Sequence, residues 1–390
     1  MFSDSWQGIN EIVLYGLGLV SERCIGKLTA DFKVAFIIDQ KKRGTKYQGI
    51  SVLAYEDAAA MIKSEKKKIV VTTSQKVYLE IKNILEKEGL EEYEDFCWVE
   101  IFVVEWYWKN KNQINIFQVD TAVTTFCTFN CKNCNMFLPY YKDRQHYSFE
   151  ELKADMDLLL KNTDYIFVYM FLGGEPFLNP QLHKIIEYAG NTYADRIGRL
   201  SITTNASVIP DDHTLHILKK YHVRIVISDY TKFMKYQKTF CRFKETMEER
   251  RIPYTVNTTL KWKDFGFPET KFDWGGVEAA TLPQNLRTHM AACSPLCHGI
   301  NDGKFYYCHI IWSAEKAGLF RNRVDDYIEL EQLDPAKTAD KRKLSQFSNG
   351  NFEKGYLELC RYCGGFGADN QCYVPTGIQM EKNIGNGRSK

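Results

Sequence analysis

The stretch CTFNCKNC, residues 127–134, decides how the central part of this 390-residue sequence is interpreted. It places Cys127, Cys131 and Cys134 in one Cys-x-x-x-Cys-x-x-Cys loop after an apolar segment that predicts a strand. Structural zinc sites prefer Cys-x-x-Cys pairs and four ligands, so this spacing is atypical of zinc. Three thiolates from one loop suit three corners of a cubane iron–sulfur cluster, whose fourth iron can bind a small chelating ligand.

Around this loop the sequence alternates between strand and helix patterns from about residue 114 to about residue 290. Such alternation predicts parallel strands with crossover helices, closed or half-closed into a barrel. Further motifs follow predicted strand ends: GGEP at 173–176, TTN at 203–205, and Ser228. Asn179, which precedes a proline, is predicted to cap the helix after GGEP. Because active sites of such folds lie at the carboxyl ends of the strands, the motifs predict one shared site.

In these motifs the sequence resembles the radical S-adenosylmethionine (SAM) enzymes over roughly residues 114–290. The resemblance implies a [4Fe-4S] cluster on Cys127, Cys131 and Cys134, whose open iron chelates the amino and carboxylate groups of SAM. It also implies a cofactor-binding set at the strand ends: Gly173, Gly174, Glu175, Thr204, Asn205 and Ser228. Two positions depart from the family's pattern. Ala206 replaces a glycine, and Asn133 stands where an aromatic residue usually flanks the adenine.

A second set of cysteines follows the point at which the alternation stops. Its members are Cys293 or Cys297, Cys308, Cys360 and Cys363. Their spacing, Cys-x(9)-Gly-x(4)-Cys followed by Cys-x-x-Cys, resembles the twitch module of radical SAM enzymes, of which SPASM is the larger version. The resemblance implies one auxiliary [4Fe-4S] cluster. Whether Cys293 or Cys297 is the ligand stays open, and a zinc site built from the same positions is the alternative.

Residues 11 to about 105 predict a small α/β unit. Its first turn contains Gly16-x-Gly18, and Asp39 ends the second predicted strand about 20 residues later, where a dinucleotide-binding fold places a ribose-binding acid. The unit is weakly similar to Rossmann-like domains of sugar-modifying proteins. Two interpretations remain: a nucleotide or nucleotide-sugar site, or a structural or recognition domain that retains the turn.

We therefore expect an α/β protein with three parts. A Rossmann-like domain over 1–110 precedes a partial (β/α)6 radical SAM barrel over 111–290, and a cysteine-stapled auxiliary module over 291–390 follows. The net charge of +2 provides no strong positive electrostatic potential that would attract nucleic acid. The apolar stretch 96–108 is too short and too charged to cross a membrane.

The number of cysteines indicates in which kind of cellular compartment the protein is expected. With twelve cysteines and no secretory pattern in the first ten residues, we expect a reducing, cytoplasmic location. Cys24, Cys97 and Cys241 are expected to be buried apolar residues.

The resemblance implies a radical SAM oxidoreductase or isomerase, in which a 5′-deoxyadenosyl radical abstracts a hydrogen atom from the substrate. A sugar, sugar nucleotide or related small metabolite is favoured, with oxidation or epimerisation as the outcome, and flavodoxin or ferredoxin would serve as the one-electron donor. The alternatives are a peptide maturase that forms a cross-link or thioether and a non-catalytic zinc-bound scaffold.

Overall fold

The computed structural model describes residues 2–258, 261–267, 282–293, 298–367 and 369–380. The strands are β1 Glu11–Tyr15, β2 Lys33–Ile38, β3 Lys46–Tyr47, β4 Ile50–Leu53, β5 Ile69–Val71, β6 Phe96–Trp98, β7 Asn115–Thr124, β8 Tyr165–Gly173, β9 Leu200–Thr204, β10 Arg224–Ser228, β11 Tyr254–Asn257, β12 Lys261–Lys263, β13 His298–Asn301, β14 Lys304–Tyr306, β15 Ile328–Glu329 and β16 Tyr373–Pro375. The helices are α1 Ser21–Asp31, α2 Tyr55–Glu65, α3 Gln75–Lys87, α4 Val99–Lys111, α5 Phe149–Asn162, α6 Leu182–Thr192, α7 Asp212–Lys220, α8 Gln237–Arg250, α9 Leu282–Ala292, α10 His309–Lys316 and α11 Thr338–Ser348.

The first sheet has the order β3-β4-β2-β1-β5-β6. Its neighbours pair in parallel, apart from the antiparallel pair of β3 and β4. The parallel strands, numbered along the chain, therefore follow the order 3-2-1-4-5 of a doubly wound sheet. Strands β1 and β5 are apolar and buried, as strands covered on both faces must be.

The second sheet has the order β11-β10-β9-β8-β7-β13-β14-β15. Strands β7 to β11 are consecutive parallel neighbours, so their carboxyl ends lie at one edge. Strand β13, which follows the predicted barrel in sequence, pairs in parallel with the free edge of β7 and continues into antiparallel β14 and β15. The six parallel strands of this sheet thus include one from the predicted auxiliary module.

The buried side chains form two hydrophobic cores. One comprises residues of the first sheet and its helices, and Phe117 and Phe167 of β7 and β8 join it. Helix α4 contributes Phe102, Val103 and Trp106 to that core. The other core runs from Ile114 to Leu359, so strands β7 to β11 and the residues after 298 share one apolar interior.

One predicted helix start is wrong. Helix α6 begins at Leu182 and not beside Asn179. The amide of Asn179 is buried and donates to the carbonyl oxygens of Val123, at 2.6 Å, and Tyr147, at 2.8 Å. Asn179 therefore fixes the end of β7 beside the cysteine loop. Among the described residues, the structure contains no helix long and apolar enough to cross a membrane.

Candidate active site

The cysteine loop that follows β7 borders a cavity of about 180 Å³ at the carboxyl ends of β7 to β10. Cys131 is buried, Cys127 and Cys134 are half-buried, and all three thiols are free. The predicted residues that line this cavity are Cys127, Cys131, Cys134, Gly173, Gly174, Thr204, Asn205 and Ser228. The structure therefore brings together motifs that lie up to about a hundred residues apart in sequence.

Two glycines allow the end of β8 to touch the start of the cysteine loop. A Cβ on Gly173, whose φ is +134°, would lie 2.2 Å from the carbonyl oxygen of Thr124. A Cβ on Gly174 would lie 1.9 Å from that of Phe126. Instead, the backbone N–H of Gly174 donates to Thr124, at 2.8 Å. Only glycine fits at either position, because any side chain would collide with backbone.

Glu175 lies behind the cavity wall. Its buried carboxylate accepts hydrogen bonds from the Thr204 hydroxyl, at 2.8 and 2.9 Å, and from the backbone N–H of Asn205, at 2.9 Å. Burial raises the pKa of Glu175 to about 7, although these donors oppose the shift. The carboxylate thus holds the turn after β9 in place, and the GGEP segment presents backbone to the cavity.

Two side-chain amides approach the sulfur atoms. The Nε2 of Gln379 lies 3.2 Å from the Sγ of Cys131, and the Nδ2 of Asn205 lies 3.6 Å from the Sγ of Cys127. Burial raises the pKa of the Cys127 thiol to about 12 and those of Cys131 and Cys134 to about 11. Binding of a metal or cluster must therefore displace protons from these thiols. N–H donors near the sulfurs compensate part of the thiolate charge.

Asn133, at the position where an aromatic residue was expected, contacts a distant segment of the chain. Its Nδ2 donates to the carbonyl oxygen of Pro375, at 3.4 Å, so it ties the loop to the segment around β16. The cavity instead has aromatic walls from Phe129, Tyr230 and Trp262. Sequence reasoning missed these three residues, although Phe129 lies within the loop itself. They offer flat apolar faces of the kind on which an adenine ring stacks.

Two polar side chains, Asp120 and His309, line the cavity next to β7 and α10. Asp120 is buried and accepts from the Nε2 of Gln118, at 2.7 Å, and burial raises its pKa to about 7. The Nε2 of His309 lies 2.9 Å from the Oδ1 of Asn301, which also accepts the backbone N–H of Ala122. The Nε2 of His309 therefore carries the proton. Its buried Nδ1 is an acceptor without a partner among the described residues.

The other predicted cysteine set borders a second, smaller cavity of about 30 Å³. Its thiol ligands would be Cys293, Cys308, Cys360 and Cys363. Backbone N–H groups of Phe366 and Gly365 approach the sulfurs of Cys293, at 3.4 Å, and Cys363, at 3.3 Å. Burial raises the pKa of the Cys363 thiol to about 12 and that of Cys293 in the same direction. Cys297 lies outside the described residues, so the choice between it and Cys293 stays a prediction.

The two cavities share a wall. Ile310 and Phe366 line both, so a single layer of side chains separates them. Across the described ranges, no three or more His, Cys, Asp or Glu side chains are placed to hold a single metal ion.

The carboxylate of Asp39 is bonded to the backbone of the loops around the Gly16 turn of the first sheet. The carboxylate of Asp39 accepts the backbone N–H groups of Leu17, at 2.9 Å, and Lys41, at 3.0 Å. In the same turn, the Nζ of Lys42 donates to the carbonyl oxygen of Leu17, at 2.6 Å. The predicted ribose-binding acid therefore serves its own loop, which favours the structural interpretation of this turn.

The cysteines outside the two sets differ from the prediction at one position. Cys24 and Cys97 are buried, as expected. The prediction for Cys241 is wrong, because it is exposed on α8, where the Nε2 of Gln237 lies 3.4 Å from its sulfur. Residues one turn apart on that helix, such as Phe240 and Phe243, take the buried positions instead.

Comparison with known proteins agrees with the motifs. The model of the Radical SAM superfamily matches residues 121–260, so the chain contains a radical SAM domain. No curated protein matches the chain. Streptococcus suis SuiB bound to S-adenosylmethionine is 17% identical, with 52% of this chain and 44% of SuiB covered and a TM-score of 0.31. The chain thus spans less than half the length of SuiB.

Two further solved structures are similar over most of their own length. Native anSMEcpe with bound AdoMet and Cp18Cys peptide is 13% identical, with 64% of this chain and 88% of that chain covered and a TM-score of 0.36. BtrN in complex with AdoMet and 2-DOIA is 16% identical, with 68% and 99% covered and a TM-score of 0.38.

Proposed function

We propose that this protein is a radical SAM enzyme that binds a [4Fe-4S] cluster through Cys127, Cys131 and Cys134 and abstracts a hydrogen atom from a small-molecule substrate. The convergence of these thiols with groups from four successive strand ends around one cavity carries the proposal. Soft thiolates suit iron–sulfur clusters, and three of them leave one iron to bind SAM. When bound, the reduced cluster and SAM supply a 5′-deoxyadenosyl radical, while the protein binds, orients and excludes water.

The residues around the cavity have distinct parts in this proposal. The backbone at Gly173 and Gly174 can approach the amino acid portion of SAM closely, because no side chain intervenes. Thr204 and Asn205, held by Glu175, and Ser228 present polar groups to the same ligand. The aromatic side chains at the cavity wall provide the adenine surface that Asn133 does not.

The second cysteine set is proposed to hold one auxiliary [4Fe-4S] cluster in a twitch-like module. Its support is the small, largely apolar cavity that the four thiols border and the wall that it shares with the first cavity through Ile310 and Phe366. An auxiliary cluster behind that wall would exchange an electron with a substrate radical. We further propose that an external donor such as flavodoxin or ferredoxin reduces the first cluster, in the cytoplasm.

A sugar, sugar nucleotide or related small metabolite is the favoured substrate. The buried carboxyl of Asp120 and the free acceptor Nδ1 of His309 suit hydroxyl groups, which are donors as well as acceptors. The Rossmann-like first unit is a further reason, because such a unit suits the nucleotide portion of a sugar nucleotide. The alternative substrate is a peptide, and titration of the full chain with UDP-glucose and with an unstructured peptide separates the two.

The proposal is tested with anaerobically reconstituted protein, SAM and dithionite. We expect 5′-deoxyadenosine and about four to eight irons per chain, as one or two [4Fe-4S] clusters require. Replacement of Cys127, Cys131 and Cys134 together by alanine should abolish 5′-deoxyadenosine formation.

Cys241→Ala is the matched control, since Cys241 is exposed and lies outside both sets. It should leave SAM cleavage unchanged. A wild-type preparation that contained zinc without iron would overturn the radical proposal in favour of the scaffold. A triple variant that still cleaved SAM would show that the cluster lies elsewhere.

A further inference from the structure

The segment that follows β16 returns to the cysteine loop and pairs with it. The backbone N–H of Lys132 donates to the carbonyl oxygen of Ile378, at 2.7 Å, and that of Met380 donates to the carbonyl oxygen of Asn130, at 2.8 Å. These bonds form an antiparallel bridge that places Gln379 opposite Cys131. Residues 378–380, here called the return segment, thus cover one side of the loop.

Within the return segment, Gln379 has its amide fixed by three contacts. Its Oε1 accepts the backbone N–H of Asn130, at 2.6 Å, which requires the oxygen on that side. The Nε2 is thereby directed to the carbonyl oxygen of Gly377, at 2.9 Å, and to the Sγ of Cys131, at 3.2 Å. The orientation of the N–H group toward sulfur therefore follows from the backbone around it.

This contact differs from those of the neighbouring thiol. The donors near Cys127, the backbone N–H of Phe129 and the amide of Asn205, lie at 3.5 and 3.6 Å. Gln379 is nearer to its sulfur than either of them, and it comes from a part of the chain 248 residues away. The side chain is exposed while Cys131 is buried, so water competes for the amide but not for the sulfur.

We infer that Gln379 is a positioning residue that raises the reduction potential of the cluster held by Cys127, Cys131 and Cys134. The inference rests on the proposed function. An N–H donor withdraws electron density from a ligating sulfur and stabilises the added negative charge of the reduced cluster. The donor thus favours reduction of the cluster, the step on which SAM cleavage depends. Because Gln379 lies in the return segment, this effect requires that the chain after β16 is correctly docked on the cysteine loop.

The test replaces Gln379 in the full-length, reconstituted protein with lysine, leucine or glutamate. The midpoint potential of the SAM-binding cluster is followed by electron paramagnetic resonance in a redox titration. We expect the midpoint potential of the lysine variant to lie above that of the wild type, that of the leucine variant below it, and that of the glutamate variant lowest. The reason is that the series runs from a cationic donor to an anion beside the sulfur. Ile378→Ala is the matched control, since it keeps the backbone pairing and should leave the potential unchanged.

Iron content and signal intensity accompany each titration. A purely structural role would lower iron content in all three variants and would not order their potentials by charge. That outcome, or potentials equal to that of the wild type, would overturn the inference while the wild type still cleaved SAM. A wild type without any reducible cluster would instead remove the proposed function itself, and the inference with it.

Discussion

The two cysteine sites differ in what surrounds the sulfur atoms. The cavity at the carboxyl ends of β7 to β10 is bordered by three thiols and also by polar groups such as Asp120, Asn205 and Ser228. The smaller cavity is bordered by four thiols and by apolar side chains, among them Met290, Ile311 and Leu357. Such surroundings suit exchange of a polar ligand at the first site and retention of a fully ligated group at the second.

The site with three thiols has polar groups in its walls, whereas the site with four thiols is lined mainly by apolar side chains. A site that must admit SAM needs hydrogen-bonding partners for the ligand's charged groups. A site that only holds a cluster gains from the exclusion of water. Replacements at and around the two sites test this distinction.

A single cysteine replacement should abolish SAM cleavage at the first site but not at the second. Cys134→Ser should abolish 5′-deoxyadenosine formation, because it removes one of the three cluster ligands. Cys363→Ser should retain slow 5′-deoxyadenosine formation in the absence of substrate, while iron content falls by about four per chain. Equal loss of cleavage in both variants would show that the second site is required for assembly of the first.

Truncation of the shared wall should destabilise the fold. Ile310 is 4% exposed and lines both cavities, so Ile310→Ala leaves a hole between them. We expect the free energy of unfolding to fall by about 2–5 kcal/mol in chemical denaturation of the cluster-free protein. Ile209→Ala, at a side chain 40% exposed, serves as the control and should cost well under half as much.

Stability should depend on pH through Asp120. Its pKa of about 7 in the fold exceeds the value of about 4 of an unfolded aspartate, since burial outweighs the donor Gln118 and the charge of Arg23. The folded state therefore binds the proton more tightly, and stability is lost as pH rises from about 4 through 7.

Asp120→Asn cannot ionise and escapes this loss. Its stability relative to the wild type should improve by roughly 1–3 kcal/mol between pH 5 and pH 8, as measured by denaturation. Asp212→Asn, at an exposed site, should show the same difference at both pH values. A constant difference for Asp120→Asn would mean that its carboxyl is ionised throughout.

The smallest effect concerns the backbone at the first site. Ala206 has a φ of +57°, with its N–H bonded to the Thr204 hydroxyl at 2.9 Å. Ala206→Gly relieves a left-handed alanine and should raise the free energy of unfolding by up to about 1 kcal/mol. Ala189→Gly in α6 is the matched control and should lower it by about 0.5–1 kcal/mol. A loss of stability at Ala206 would show that its methyl group contributes more than the strain costs.

The sequence allowed the parallel sheets and most of the first site to be predicted. Gly173, Thr204 and Ser228 are the last residues of parallel strands, and the ends of such strands meet at one edge of the sheet. The return segment could not be foreseen, because its pairing with residues near Cys131 depends on contacts far apart in the chain and has no local periodicity. The role of Asn133 was hidden for the same reason.

Burial of Cys241 was predicted from its residue type alone, and the helix face decided otherwise. Likewise, Glu175 holds the turn after β9 and Asp39 holds the loop around it, although the motifs suggested contact with a ligand. A motif gives the position of a carboxyl group along the chain, whereas the donors that surround it are known only once the fold is formed.

The pairing of Cys131 with Gln379 has a consequence for the order of events during synthesis. The two residues are 248 positions apart, so at about 5–20 residues per second the ribosome needs roughly 12–50 s after the loop appears to complete its partner. During that interval Cys131 of the nascent chain lacks the amide of Gln379. Under the proposed function, the complete set of donors around the cluster therefore forms only after residue 379 has been synthesised.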